Sequence, residues 1–197
     1  MGRYERIQKV PIKIIEESLE TLSEYEKVPI AFWVRSRFLI DSSDKGLILV
    51  EEPVEPYLKD YDVYQRPSQW PERFDISHWG IFAAFDGENR IGGAAAAWKT
   101  PGLDMLENRD DLVCLWDLRV HPEYRKRGVG QILFEAATNW ALDRQCSELK
   151  VETQDINVAA CRFYERQGCE LRVINKDAYP AEMNEIQLLW YRDLQIS

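Results

Sequence analysis

The segment from residue 112 to residue 140 constrains the fold more than any other part of the chain. Its apolar run at 112–120 predicts a buried strand. A basic turn follows, and Gly128 and Gly130 then open a helix with apolar residues at three- and four-residue steps. At the start of such a helix, the free backbone N–H groups and the positive end of the helix dipole point to one place. The segment therefore predicts a phosphate-binding loop.

Two common phosphate motifs are excluded by the residues that follow Gly130. A Walker A loop requires Lys and then Ser or Thr at the next positions, which are Gln131 and Ile132. A dinucleotide fingerprint requires a third glycine at position 133, where the chain has Leu133. The remaining pattern is Arg-x-x-Gly-x-Gly, which begins at Arg125 and directly follows the predicted strand.

The elements after the loop continue in a regular order. Residues 148–153 alternate as a strand, and Asp155 or Asn157 can cap a second helix that Gly168 closes. Before the loop, the Asp86-Gly87-Glu88-Asn89 segment is typical of a hairpin turn. Strands are also predicted at 7–10, 28–40, 46–52, 78–85, 90–98, 170–174 and 185–191, with a helix at 14–21.

The loop and the order of elements resemble the acetyl-CoA half of the GNAT superfamily of N-acetyltransferases. Residues 140–145 match the Trp-Ala-Leu-x-Arg-Gln of its streptothricin acetyltransferase branch. Residues 151–164 are similar to that branch's Leu-Glu-Thr-Gln-x-x-Asn-x-x-Ala-Cys-x-x-Tyr, and residues 56–61 to its Pro-Tyr-x-Lys-Asp-Tyr. The likeness covers roughly residues 54–191 and is strongest between 110 and 170.

The resemblance implies an α/β (α+β) GNAT-like acyl-CoA N-acyltransferase fold, with a mixed, mostly antiparallel central sheet flanked by helices. It implies one N-acetyltransferase domain over residues 1–197, divided into a variable acceptor-side part, 1–77, and an acetyl-CoA-binding core, 78–197. In the family a neighbouring strand splays away and opens a slot for the cosubstrate. The residues expected to bind acetyl-CoA are Leu118, Arg119, Val120, Arg125, Lys126, Arg127, Gly128, Val129, Gly130, Gln131, Asn157, Ala160 and Phe163.

Amine acetylation requires a neutral amine and a proton for the departing thiolate. The resemblance implies that Tyr164 supplies this proton, although a tyrosine on a helix is also typical of a core. Asp117 is the leading candidate for the base, since an unpaired carboxylate in an apolar strand is costly. Strand alternation places it on the face of Leu115 and Arg119, opposite Trp116; an ion pair with Arg119 is the alternative. Asp60, Asp62 and Glu152 are weaker alternatives for the base.

The stretch 53–77 is rich in Pro, Tyr and Asp and predicts a loop or short helix over the active site. The residues expected to bind the acceptor are Tyr57, Asp60, Asp62 and Glu152, and the first three lie in this stretch. Acidic groups favour a small cationic amine, of which streptothricin is the sharpest candidate. Two alternative functions stay open. One is acetylation of a protein or peptide amine or of a polyamine, and the other is that of a non-catalytic acyl-CoA-binding module.

Composition narrows the classes of partner. A net charge of −9 disfavours nucleic acid, and no apolar run approaches the ~20 residues of a membrane helix. Four cysteines without a Cys-x-x-Cys pair predict free thiols in a reducing cytoplasm, and no signal-peptide core is expected. Two isolated histidines predict no metal site. A homodimer through the C-terminal strand stays open.

Overall fold

The computed structural model describes residues 11–43 and 46–194. The strands are β1 (Lys13–Glu17), β2 (Phe32–Ser43), β3 (Gly46–Lys59), β4 (Gly80–Asp86), β5 (Asn89–Ala97), β6 (Leu112–Val120), β7 (Glu148–Gln154), β8 (Glu170–Asn175) and β9 (Gln187–Asp193). The α-helices are α1 (Leu22–Tyr25), α2 (Trp70–Arg73), α3 (Val129–Asp143) and α4 (Val158–Arg166). Short 3₁₀ turns lie at Leu19–Thr21, Pro67–Gln69, Asp104–Leu106, Pro122–Tyr124 and Ala181–Met183.

Seven strands form one sheet in the order β1-β4-β5-β6-β7-β9-β8. Every neighbouring pair is antiparallel except β6 and β7, which run parallel with α3 as their crossover. Strands β2 and β3 form a separate two-stranded hairpin. The predicted mixed, mostly antiparallel sheet flanked by helices is thus confirmed. Within the described residues, we find no helix with the length and apolar character required to cross a membrane.

Helices cover both faces of the sheet. Helices α3 and α4 pack on one face, here called the α3/α4 face, and α1 and α2 pack on the other, the α1/α2 face. Strand β5 has small residues because side chains on both faces of the sheet pack closely against its backbone. A Cβ on Gly93 would lie 2.4 Å from the Tyr25 ring, and one on Gly92 would lie 3.0 Å from Leu133.

The parallel pairing of β6 and β7 is short. It ends at the pair Leu115 and Val151, although β6 continues to Val120 and β7 to Gln154. Strand β6 is also irregular there, because Leu115 opposes Ala96 while Asp117 opposes Ala95. Trp116 is therefore the extra residue of a β-bulge. Beyond it the two strands part, as expected for a slot, and we call this opening the β6–β7 gap.

The predicted helix at 14–21 is wrong. Residues Lys13–Glu17 form the edge strand β1, which pairs with β4, and helical structure begins only at Leu19 after Ser18 caps the turn. This strand is stabilised by its pairing with β4 and by the contact of Ile14 with the core on the α3/α4 face. Together these outweigh the local preference of the glutamates for a helix. The strand expected at 7–10 lies outside the described residues.

The predicted loop at the start of 53–77 is also wrong, since β3 continues to Lys59. Pro53 is tolerated because β3 pairs only with β2, and because Pro53 opposes Ser36 at a register shift. The short helix expected in the same stretch is present at Pro67–Arg73. The hairpin of β4 and β5 and the strands β6, β7 and β8 are confirmed within one or two residues of their predicted bounds.

Candidate active site

The predicted anion loop lies between the end of β6 and the start of α3. Gly128 caps the helix at φ +87°, and an added Cβ there would meet no atom within 4 Å. Among the residues that the structure describes, no side chain caps this end, and the Ile132 N–H is bonded to the Gly128 carbonyl at 3.1 Å. The preceding N–H groups of Val129, Gly130 and Gln131 therefore have no partner within the helix. This uncapped helix start fits a phosphate.

The three basic residues of the loop differ in their surroundings. The half-buried Arg125 donates to the backbone carbonyls of Val120 at 2.9 Å and Ala31 at 2.8 Å, and burial lowers the pKa of its guanidinium. Its side chain thus fixes the loop against the segment before β2. Lys126 and Arg127 are exposed, so they supply the side-chain charge that a phosphate can reach.

Helix α4 lies against the start of α3, so the two segments expected to bind the cosubstrate come together. A Cβ on Gly130 would lie 3.5 Å from the Phe163 ring and 3.7 Å from the Leu118 side chain. Asn157 accepts a hydrogen bond from the Ala160 N–H at 3.2 Å, which confirms it as the N-cap of α4. A contact of Asn157 with a pantetheine arm stays a prediction.

Tyr164 lies on α4 with 6% of its surface exposed. Its ring centroid is 5.1 Å from that of Phe163 and 6.0 Å from that of Phe134. Burial raises the pKa of the phenol well above its usual range, and the charge of Asp117 adds to this shift. Among the described residues no group hydrogen-bonds the hydroxyl. With its pKa raised, the phenol is protonated at neutral pH, and its role as the proton donor stays a prediction.

Asp117 forms the ion pair that was the alternative to a catalytic role. One carboxylate oxygen accepts from the Tyr25 hydroxyl at 2.6 Å and from Arg119 Nε at 2.9 Å, and the other accepts from Arg119 Nη2 at 2.7 Å. The side chains of Asp117 and Arg119 are both buried. Tyr25 and Arg119 thus hold the carboxylate in place from two sides. This geometry favours a structural role, and a role of Asp117 as the base stays a prediction.

The predicted face of Asp117 is wrong with respect to Leu115 and Trp116. Asp117 does share a face with Arg119, as predicted. Leu115 belongs to the core on the α3/α4 face, but the Trp116 ring lies 5.7 Å from Trp79 on the other face, where Asp117 follows it. Leu118 then packs on the α3/α4 face again. The bulge shifts the alternation of side chains by one position, and alternation alone does not reveal it.

Arg119 connects the sheet to the segment after β3. Its Nη1 and Nη2 atoms donate to the two carboxylate oxygens of Asp62 at 3.0 and 3.1 Å, and Nη1 also donates to the Val28 carbonyl. Asp60 accepts from the Asp62 N–H at 3.0 Å. Both aspartates were expected to bind an acceptor, but in this structure they hold the segment in place. Burial raises the pKa of Asp62, and Arg119 opposes that shift.

Glu152 follows Val151, the last residue of β7 that pairs with β6, and lies at the β6–β7 gap. Val151 and Thr153 belong to the α3/α4 face, so Glu152 points to the other face. The half-buried carboxylate accepts from Tyr179 Oη at 2.5 Å, Gln187 Nε2 at 2.6 Å and Gln154 Nε2 at 3.2 Å. Within the described residues no Lys or Arg pairs with it. It is therefore available to a cationic ligand.

Several residues near Glu152 were not predicted from the sequence. Tyr179 contacts Glu152, and Glu185 is buried where it accepts from the Tyr61 hydroxyl at 2.8 Å. No recognised motif contains Tyr179 or Glu185, and only the tertiary contacts bring them to the site. Tyr57, expected to bind the acceptor, lies exposed on β3.

Comparison with known proteins agrees with this arrangement. The model described as "Acetyltransferase (GNAT) family" matches residues 48–169. The chain belongs to the GNAT acetyltransferase family. This acetyltransferase is 31% identical to the streptothricin acetyltransferase of Escherichia coli over 163 residues, which cover 81% of this chain and 84% of that protein. It is 38% identical to streptothricin acetyltransferase A of Bacillus subtilis (strain 168) over 91 residues, 45% and 53% of the two chains.

Solved structures share the fold of this acetyltransferase. The crystal structure of nourseothricin acetyltransferase superposes with a TM-score of 0.73 at 21% identity, covering 93% of this chain and 99% of that one. A Bacillus anthracis str. Ames protein in complex with acetyl coenzyme A gives a TM-score of 0.74 at 23% identity, covering 95% and 100%. The GNAT fold is thus established along nearly the whole chain.

Proposed function

We propose that this GNAT acetyltransferase transfers the acetyl group of acetyl-CoA to a primary amine of a small cationic acceptor, with streptothricin as the first candidate. One observation carries the proposal: the Glu152 carboxylate has no cationic partner among the described residues and lies at the β6–β7 gap. The likeness to the E. coli and B. subtilis relatives supports streptothricin, since both carry that name.

The donor side is supported by the geometry of the loop and the gap. The N–H groups of Val129, Gly130 and Gln131 would hold the pyrophosphate, and Lys126 and Arg127 would add charge. Beyond Leu115 the backbone of β6 has no β7 partner on its gap side. Apart from the Val120 carbonyl, which accepts from Arg125, its N–H and C=O groups on that side would be available to the pantetheine amides. The B. anthracis protein of the same fold was solved with acetyl coenzyme A.

The acceptor side is supported by charge. An alkylamine has a pKa of about 10.4, so nearly all of it is protonated at neutral pH. Glu152 would bind the ammonium group and remove a proton, directly or through water. The amine nitrogen then forms a bond to the acetyl carbon as the carbon–sulfur bond breaks. Tyr164 would give its phenolic proton to the departing thiolate. The acetylated nitrogen loses its second proton as it becomes an amide, and this proton would restore the phenol through water.

The test is release of coenzyme A by the purified protein with acetyl-CoA and a panel of amines: streptothricin, polyamines, lysine and short peptides. We expect rapid release with streptothricin and little with the other amines. Rapid release with a different amine alone would support acetyl transfer to an amine but would reject streptothricin as the acceptor. Tight binding of acetyl-CoA without release in the presence of any amine would favour the non-catalytic module.

A further inference from the structure

The ammonium group of Lys59 lies among one acidic and two aromatic side chains. The Lys59 ammonium pairs with the Glu185 carboxylate and lies 4.9 Å from the Tyr61 ring centroid and 5.1 Å from that of Tyr64. The Tyr61 hydroxyl donates to the second Glu185 oxygen at 2.8 Å. A carboxylate with two aromatic faces is the chemistry that binds alkylammonium ligands. We call Tyr61, Tyr64 and Glu185 the ammonium cage.

The cage adjoins the proposed acceptor site. Tyr179 bonds to Glu152. Burial raises the pKa values of Tyr179 and Tyr61, and the charges of both Glu152 and Glu185 add to each shift. At one end of the segment 59–62, Lys59 contacts Glu185, which lies just before β9. At the other end, Asp62 contacts Arg119 on β6. It thus crosses the gap on the side to which Glu152 points.

The cage accepts only a cationic occupant. The Glu185 side chain is 2% exposed, and Lys59 is its cationic partner. A neutral group in place of the Lys59 ammonium would leave a buried carboxylate uncompensated, which is strongly unfavourable. A second ammonium can replace the first, because the charge and the aromatic contacts are then retained. Lys59 can release the cage without unfolding the segment, since Tyr61 and Asp62 anchor it separately.

We propose that the ammonium cage is a subsite for a second cationic group of the acceptor, and that Lys59 fills it until such an acceptor displaces the Lys59 ammonium. The inference rests on the proposed amine acetylation and specifies its substrate class: acceptors with two ammonium groups, one at Glu152 and one at the cage. Acceptors with a single ammonium cannot take both places and leave Lys59 where it is.

The test compares α,ω-diaminoalkanes of three to six carbons with n-alkylamines of the same lengths as competitors of acetyl transfer. In Lys59→Met the cage is vacant, and we expect the inhibition constants of the diamines to fall by about tenfold while those of the monoamines change less than about twofold. Lys59→Arg is the matched control, since it retains an occupant and should show no such gain. Equal changes for both series in Lys59→Met would overturn the proposal.

A binding measurement separates this inference from the proposed reaction. Diamines should raise the melting temperature of Lys59→Met more than monoamines do, and this readout requires no turnover. Glu185→Gln in the otherwise unchanged chain removes the cage charge and should abolish any preference for diamines. If Lys59→Met does not fold, Glu185→Gln decides, because a diamine preference that survives in it refutes the subsite.

Discussion

The guanidinium of Arg119 holds both carboxylate oxygens of Asp117, two residues earlier on β6, at 2.9 and 2.7 Å. The same guanidinium binds Asp62, so one buried arginine joins the bulged strand to the segment that crosses the gap. Tyr25 completes the group from α1. This network fixes the walls of the β6–β7 gap and leaves Glu152 as the carboxylate there that a ligand can neutralise.

Asp117→Asn should reduce the free energy of unfolding by about 3 kcal/mol, because it leaves Arg119 buried with less negative charge. The rate of acetyl transfer per folded molecule should change little. Chemical denaturation and initial rates measure the two effects. Asp60→Asn is the matched control and should cost less than about 1 kcal/mol, since it affects one hydrogen bond. Unchanged stability with lost turnover would return the role of base to Asp117.

Glu152→Gln should lower kcat/KM for the amine by about a hundredfold, since the amide neither neutralises the ammonium nor accepts its proton. The KM for acetyl-CoA should stay the same. Glu165→Gln on the exposed side of α4 makes the same change of net charge away from the gap. Equal kinetics for the two variants would show that Glu152 does not contact the acceptor.

Tyr164→Phe should lower kcat by about a hundredfold and leave the melting temperature nearly unchanged. The ring contacts with Phe134 and Phe163 are retained, and only a hydroxyl without a partner among the described residues is lost. Steady-state rates and a thermal melt of the same sample test this. Turnover near that of the parent protein would make Tyr164 a core residue only.

Gly128→Ala should raise the KM for acetyl-CoA by about tenfold, because its φ of +87° disfavours a side chain and the Cβ would stand where a phosphate approaches. Gly102→Ala is the matched control, with φ +76° and likewise no atom within 4 Å. Both should lose about 1 kcal/mol of stability to strain. If the two variants bind acetyl-CoA alike, Gly128 has no role at the phosphate.

The four cysteines should react slowly with a thiol reagent at neutral pH. All of them are free and buried, and burial raises the pKa of Cys146 to about 11 and those of Cys114, Cys161 and Cys169 to about 12. Fewer thiolates and poor access both slow the reaction. Denaturant should release all four thiols, and rapid labelling of one cysteine in the native protein would identify a local opening.

The sequence by itself determined the acetyl-CoA half of this protein. The strand, the Arg-x-x-Gly-x-Gly loop and α3 are contiguous, so local rules place Gly128 at a helix start and Asn157 at a cap. Their physical determinants, positive φ and unpaired N–H groups, act over a few residues. The motif around 151–164 likewise identified the family before any contact was known.

The arrangement around Glu152 depends on contacts between residues that are distant in the sequence. The bulge at Trp116 depends on how β6 packs between β5 and the two faces, and it reverses the side on which Asp117 lies. The strand β1 and the extension of β3 to Lys59 depend on pairing partners far along the chain. Arg119 meets Asp62, and Lys59 meets Glu185 126 residues away, because burial makes isolated charges costly and selects partners by space and not by sequence distance.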